Sequence, residues 1–140
     1  MRLFDLHADT LTLCEQNCSS LLKNRYHVDA VRALSLYEQW HQILAVYVAD
    51  DVEESDAWPY TYRCLQYLQN QCSALRHSEF SSKPFLLIPA IENGKAIGDD
   101  INRLVTLAEH GVFYLTVTWN GSNRLGNGCL SSRSKVWFPS

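Results

Sequence analysis

Four short apolar runs alternate with longer segments along the chain, and this alternation constrains the fold more than any other feature. The runs cover residues 3–6, 43–49, 85–91 and 112–118. None alternates strictly between apolar and polar side chains, so each predicts a strand that is covered on both faces, as in a parallel sheet. The resulting order, β-α-β-α-β-α-β, favours an α/β fold.

Three segments between the runs predict helices. The second and third place apolar residues three and four positions apart, the spacing of one helix face, whereas the first carries its leucines among polar residues and is weakly helical. The first covers residues 10–23, the second follows Pro59, and the third ends before Gly111, which stands where a left-handed C-cap belongs. Each helix would bury its apolar face against the sheet. The faces consist of Leu11, Leu21 and Leu22; of Tyr62, Leu65, Leu68, Cys72 and Leu75; and of Ile97, Ile101, Leu104, Val105 and Ala108.

Composition narrows the range of partners. The 140 residues are 46% hydrophobic and 19% charged with a formal net charge of -3, the profile of one globular domain. Because Lys and Arg form no cluster, nucleic acid and anionic membrane surfaces are excluded as main partners. The first residues lack the apolar core of a signal peptide and no stretch is long enough to span a membrane, so we expect a cytoplasmic location.

The five cysteines form an odd set without the spacing of a disulfide framework, which favours reduced thiols. Cys14 and Cys18 lie four residues apart on the first predicted helix. No second pair completes a metal site, so burial as small hydrophobic side chains is the favoured reading of both.

Polar side chains follow the first and third runs, where parallel α/β folds place their sites. His7 and Asp9 end the first run and Glu92 directly follows the third. In an extended strand, residues two apart point to the same side with Cα atoms about 6.5 Å apart, so His7 and Asp9 could share a zinc ion. The alternatives are that Asp9 caps the next helix beside a half-buried His7 and that Glu92 is a solvated turn residue.

Three segments carry a resemblance to a known family. They are FDLHADTL (4–11), LAVYV (44–48) and PAIENGKAIGDDINRLVTLAEHGVFYLTVTWNGSN (89–123). Over residues 4 to about 129, the chain resembles the membrane or renal dipeptidases, zinc peptidases of the metallo-dependent hydrolase type on a (β/α)8 barrel. The resemblance implies a partial TIM barrel, with three β/α units and a fourth strand, over residues 1–130.

The resemblance also implies the site. His7 and Asp9 would bind the first of two zinc ions, and Glu92 would bridge both as the catalytic carboxylate. The second zinc would remain incomplete, because its two histidines come from later strands in the family. Trp119 stands where animal members carry a substrate-binding histidine, so the substrate-binding residues stay unassigned. We expect ordinary structural roles for the other histidines: His27, His41, His77 and His110.

Residues 131–140 form an atypical tail. Relatives continue with a Gly-Leu-Thr segment, whereas here SRSKVWFPS (132–140) follows Ser131. Our hypothesis is that a frameshift, a gene-model error or a natural truncation replaced the remainder of the barrel.

The expected function is hydrolysis of dipeptides by a water molecule activated between two zinc ions. Two alternatives stay open. One is another barrel metal hydrolase acting on esters, lactams or nucleobases, although many of those carry His-x-His, so Asp9 favours the dipeptidase. The other is a non-catalytic remnant that binds zinc weakly and self-associates through exposed strand edges and helix faces.

Overall fold

A parallel three-stranded sheet forms the centre of the fold in the computed structural model, which describes residues 1–131. The strands are β1 (Arg2–Asp5), β2 (Gln39–Tyr47) and β3 (Phe85–Glu92), in the order β1-β2-β3. The sheet does not close within these residues, and the predicted α/β class is confirmed. The predicted tail lies outside the described residues, apart from Ser131.

The fourth apolar run does not form a regular strand, so that prediction was wrong. Its pairing with β3 is a single parallel bridge, Ile91 to Leu115. The Ile91 N–H donates to the carbonyl of Tyr114 at 3.0 Å, so N–H groups two residues away on β3 face the same side. Pro89 stands there and has no N–H, which removes one ladder bond and keeps the pairing short.

Five helical segments accompany the sheet within residues 1–131. They are α1 (Thr10–Gln16), α2 (Ala30–Leu36), α3 (Glu54–Arg76), a 3-10 helix (Gly94–Ile97) and α4 (Arg103–Glu109). The predicted first helix ends seven residues early, because Cys18 adopts a left-handed conformation with φ 49°. The sequence patterns did not predict α2, which begins when the Asp29 side chain accepts a hydrogen bond from the backbone N–H of Arg32 at 2.8 Å.

Strand β2 is buried on both faces, as its apolar sequence predicted. Leu44 and Val46 pack with the helices, while Ile43 and Ala45 point to the opposite face and are equally inaccessible. The same core takes in the inner faces of α1 and α3, through Leu11, Cys14, Ala57, Cys64, Leu65, Leu68 and Leu75.

The predicted apolar face of the third helix is wrong beyond Ile97. Ile101 and Val105 are 62% and 59% exposed, and Leu107 is the residue of α4 that is buried. Gly98, with φ 54°, ends the 3-10 helix, and a turn separates it from α4. This interruption shifts the helical phase, so the periodicity does not continue from one helix to the next.

The cysteines within residues 1–131 are all free thiols, as predicted. Cys14 is buried whereas Cys18 is exposed, so the prediction that both are buried is confirmed for Cys14 and wrong for Cys18. In the described part of the chain, no helix combines the length and apolar character needed to cross a bilayer.

Candidate metal centre

A bulge in the first strand shapes the start of the site. Asp5 pairs with Gln42. Ala8, however, is hydrogen-bonded to both neighbours of Leu44, at 3.1 and 2.9 Å, so it pairs with Leu44. The first strand therefore advances three residues while β2 advances two, which places an extra residue at positions 6–7.

His7 lies in this bulge and its ring meets two carboxylates. Its Nε2 atom is 3.1 Å from Oδ1 of Asp9 and 3.5 Å from Oε2 of Glu92. The ligand atoms of the three residues all lie within 4.8 Å of one another. The structure thus brings together the three residues that the sequence nominated.

The reason for this proximity differs from the one we expected. Asp9 is not in an extended strand: it is the N-cap residue of α1, with φ -88° and ψ 7°. Its side chain makes no capping hydrogen bond, so the carboxylate is free to face His7. The bulge and the start of the helix, rather than strand alternation, bring His7 and Asp9 together.

Glu92 ends β3 with a side chain that is 20% exposed, which does not fit a solvated turn residue. Burial raises the pKa of its carboxyl group, and the negative charge of Asp9 adds to this effect. Among residues 1–131, the ion pairs of both carboxylates involve His7 alone. The centre therefore concentrates negative charge with little compensation, and a bound cation would relieve it.

Asn93 directly follows Glu92 and supports the site through hydrogen bonds of its side chain. From the sequence it was interpreted only as a turn residue. It is buried and has φ 82°, which is rare for residues other than glycine. Its Nδ2 donates to the carbonyl of Val48 at 2.9 Å and to Oδ1 of Asp50 at 3.1 Å, while its Oδ1 accepts from Asn123 at 2.8 Å. Asn93 thus joins the ends of β2 and β3 to the loop after the fourth run.

The loop at residues 119–123 is fixed by the same network. Oδ2 of Asp50 accepts a hydrogen bond from the backbone N–H of Gly121 at 2.7 Å. Trp119 packs edge-on against Tyr47, with ring centroids 5.1 Å apart, and is not part of the metal-ligand group.

A cavity of about 780 Å³ opens beside Asp9. It lies between α1, the end of β2 and α3, and its charged lining includes Asp56 and Arg63. Arg63 is paired with Glu15 at 2.9 Å. The volume is within the range of small-molecule sites.

The remaining histidines lie outside the ligand group of the described chain. His41 is in β2, where it pairs with Phe4 of β1, and His27 is exposed. His77 and His110 end α3 and α4, and the Nδ1 atom of each is within 2.8 Å of a carbonyl one turn earlier. These positions agree with structural roles.

An imidazole and two carboxylates at the ends of parallel strands are typical of metal-dependent hydrolases. The family model described as membrane dipeptidase, peptidase family M19, matches residues 1–137. The chain belongs to this family, and the predicted resemblance is confirmed. A comparison with curated proteins gave no match.

Solved structures of metallo peptidases show the fold. A metallo peptidase from Rhodobacter sphaeroides, liganded with a phosphinate mimic of the dipeptide L-Ala-D-Ala, is 17% identical with a TM-score of 0.71. The match covers 88% of this chain and 47% of that one. Dipeptidase AC, a family M19 metallo peptidase, is 19% identical with a TM-score of 0.69. That match covers 86% of this chain and 43% of dipeptidase AC. The chain spans less than half the length of these relatives and matches part of their barrel, as predicted.

Proposed function

We propose that this chain carries part of the metal centre of a zinc-dependent dipeptidase. His7 and Asp9 would hold one zinc ion, and Glu92 would bridge it to a second. The observation that carries the proposal is the convergence of three ligand atoms, from residues far apart in sequence, within 4.8 Å. Membership of family M19 supports a metallo-dipeptidase as the enzyme class.

The donor set fits zinc. Neutral imidazole nitrogen and carboxylate oxygen are both common zinc ligands. Glu92 suits a bridging role because its two oxygens can each face one cation, whereas a neutral imidazole offers one lone pair. A second ion would need ligands beyond this group, since zinc sites use three or four protein ligands each.

Zinc, when bound, would lower the pKa of a water molecule toward about 7 and polarise the scissile carbonyl. The residues of this chain supply the negative charge that holds the cation and the rigid strand ends that fix its position. The cavity beside Asp9 offers space for a substrate next to the ligand group. The dipeptide mimic bound by the Rhodobacter sphaeroides relative supports dipeptides as the substrate class.

Zinc titration of the 140-residue chain tests the assignment. We expect weak binding, with a dissociation constant above about 1 µM, because three ligand residues cannot organise two metal ions. The variants His7→Ala, Asp9→Asn and Glu92→Gln should each weaken binding by at least about tenfold, since each removes a ligand. His27→Ala removes an exposed histidine outside the group and should bind zinc like the parent chain. Equal affinity in His7→Ala and the parent would refute the site.

Activity assays test the function separately. We expect no dipeptide turnover by the 140-residue chain, because three ligand residues cannot organise two metal ions. A longer protein that contains this segment should hydrolyse dipeptides in preference to esters, lactams or nucleobases. Preferential turnover of one of those classes would replace the dipeptidase assignment with that of another barrel hydrolase.

A further inference from the structure

The imidazole of His7 is held at both ends. Its Nε2 atom faces the carboxylates of Asp9 and Glu92, at 3.1 and 3.5 Å. Its Nδ1 atom lies 2.7 Å from the hydroxyl of Tyr114. The same hydroxyl lies 3.4 Å from the carbonyl oxygen of Leu6, to which it can donate.

We propose that Tyr114 is a positioning residue that holds the His7 ring with Nε2 toward the two carboxylates. The contact itself rests on hydrogen-bond geometry. Its expected effect on zinc affinity rests on the proposed function.

A tyrosine hydroxyl suits this place because it both donates and accepts. In the metal-free chain, Nε2–H can donate to Asp9 while Nδ1 accepts from the Tyr114 hydroxyl. When Nε2 gives its lone pair to a cation, Nδ1 must carry the proton. Nδ1–H then donates to the hydroxyl oxygen, whose own hydrogen turns to the carbonyl of Leu6. Both arrangements leave every donor with an acceptor, so the ring keeps its orientation when the metal binds.

Hydrogen bonds of the backbone around Tyr114 fix its position relative to β3. Its carbonyl accepts a hydrogen bond from the N–H of Ile91 at 3.0 Å, one residue before Glu92. Thr116 is tied to the same strand end, since its hydroxyl accepts from the N–H of Asn93 at 2.9 Å. Tyr114 therefore sets the position of His7 relative to the strand end that carries Glu92.

The reach of this hydrogen bond also requires a curved sheet. β2 and β3 stand between β1 and the fourth run. Three strand spacings in a flat sheet would separate these outer segments by about 14 Å, which exceeds the reach of a tyrosine side chain plus one hydrogen bond to the backbone carbonyl of Leu6. The contact is therefore made across the concave face, as the curvature of a barrel allows.

The test compares Tyr114→Phe with Tyr62→Phe. The first variant removes only the hydroxyl that contacts His7. The second removes a hydroxyl from a tyrosine whose ring contacts another histidine, His110, at 5.3 Å between centroids and away from the metal-ligand group. Circular dichroism and thermal midpoints would establish that both variants fold like the parent.

The first readout is the 15N spectrum of the histidine rings in the metal-free chain. In Tyr114→Phe, we expect the Nδ1 resonance of His7 to move away from its hydrogen-bonded position and the ring signals to broaden, because the ring loses its anchor. The spectrum of His7 should be unchanged in Tyr62→Phe. An unchanged Nδ1 shift of His7 in Tyr114→Phe would overturn the proposal.

The second readout is zinc affinity. Loss of a partner that orients a metal-binding histidine weakens affinity by about 10- to 100-fold, and we expect this in Tyr114→Phe only. Equal affinity in Tyr114→Phe and the parent would also overturn the proposal. If the parent bound no zinc, the proposed function would fail, and the His7 spectrum would decide the role of Tyr114 on its own.

Discussion

At the scale of single residues, the three residues of the candidate metal centre could be selected from the sequence. Placement at strand ends was enough to nominate His7, Asp9 and Glu92, because parallel strands end at one edge of the sheet. The bulge in which His7 lies could not be predicted, since it depends on pairing with β2, 35 or more residues away along the chain. That the three residues bind zinc stays a prediction.

Asn93 and Tyr114 were missed for different reasons. Asn-Gly after a strand is a common turn signal, and only the structure shows that the Asn93 side chain is buried and fully hydrogen-bonded. Tyr114 stood within an apolar run, where a tyrosine reads as part of a strand. Its hydroxyl acquires a role only through the contact with His7, 107 positions away in the sequence.

Gly94 provides a test of the packing behind Glu92. A Cβ atom at Gly94 would lie 2.6 Å from Cδ1 of Leu125 and 2.8 Å from the carbonyl oxygen of Val117. That carbonyl also accepts a hydrogen bond from Asn123 at 2.7 Å, so it has little freedom to move. We expect Gly94→Ala to lower the free energy of unfolding by about 1–3 kcal/mol, as overpacking does. Urea denaturation would measure it.

The matched control is Gly126→Ala in the loop that packs over Gly94. An added Cβ there would meet its neighbours at 3.5 Å, an ordinary contact. We expect a change within about 0.5 kcal/mol of zero, as is usual for substitutions away from tight contacts. A cost equal to that of Gly94→Ala would contradict the packing described around Gly94.

At the scale of elements, periodicity predicted the long helix α3, although it begins at Glu54 rather than after Pro59, and continuous apolar runs predicted the three strands. Breaks in these patterns were misread. Pro89 shortened the pairing of the fourth run, and Gly98 divided the third predicted helix into two pieces of different phase. In each case a single residue, Pro89 or Gly98, changes the local backbone and so breaks the pattern of the residues around it. The short helix α2 lacked enough turns to give a clear period.

Thiol reactivity tests the placement of α1 and α3. Burial raises the pKa of Cys14 to about 11 and that of Cys64 to about 12. Thiolate is the reactive form, so at pH 8 less than about one molecule in a hundred would carry thiolate at either residue. We expect iodoacetamide at pH 8 to modify the exposed Cys18 and Cys129 first, with Cys14 and Cys64 protected until urea unfolds the chain. Peptide mass spectrometry over time would show the order, and early modification of Cys64 would contradict the position of α3.

For the molecule as a whole, apolar side chains of α4 and of the fourth run stay exposed in the described residues. Val105 of α4, and Phe113 and Val117 in the fourth run, are each more than half exposed. Scattered exposed apolar residues are normal, but exposed apolar residues beside a short, open sheet edge favour association between molecules.

We therefore expect the 140-residue chain to self-associate, with a sedimentation coefficient that rises with protein concentration. Replacing Val105 and Phe113 with serine should reduce this dependence. Leu36→Ser, at a residue that is 62% exposed at the end of α2, is the matched control and should not. A parent chain that sediments as a monomer at every concentration would disprove the expectation.

The hydrogen bond between His7 and Tyr114 also has a consequence for the order of folding. It joins residues 107 positions apart, so the imidazole is oriented only after nearly the whole described chain has collapsed. Contacts of such separation form late, because the entropy of closing the loop must be overcome first. Asp9 and His7, by contrast, are neighbours from the beginning. A metal ion would therefore bind to a chain that has already folded, and would lock the native state rather than guide the chain toward it.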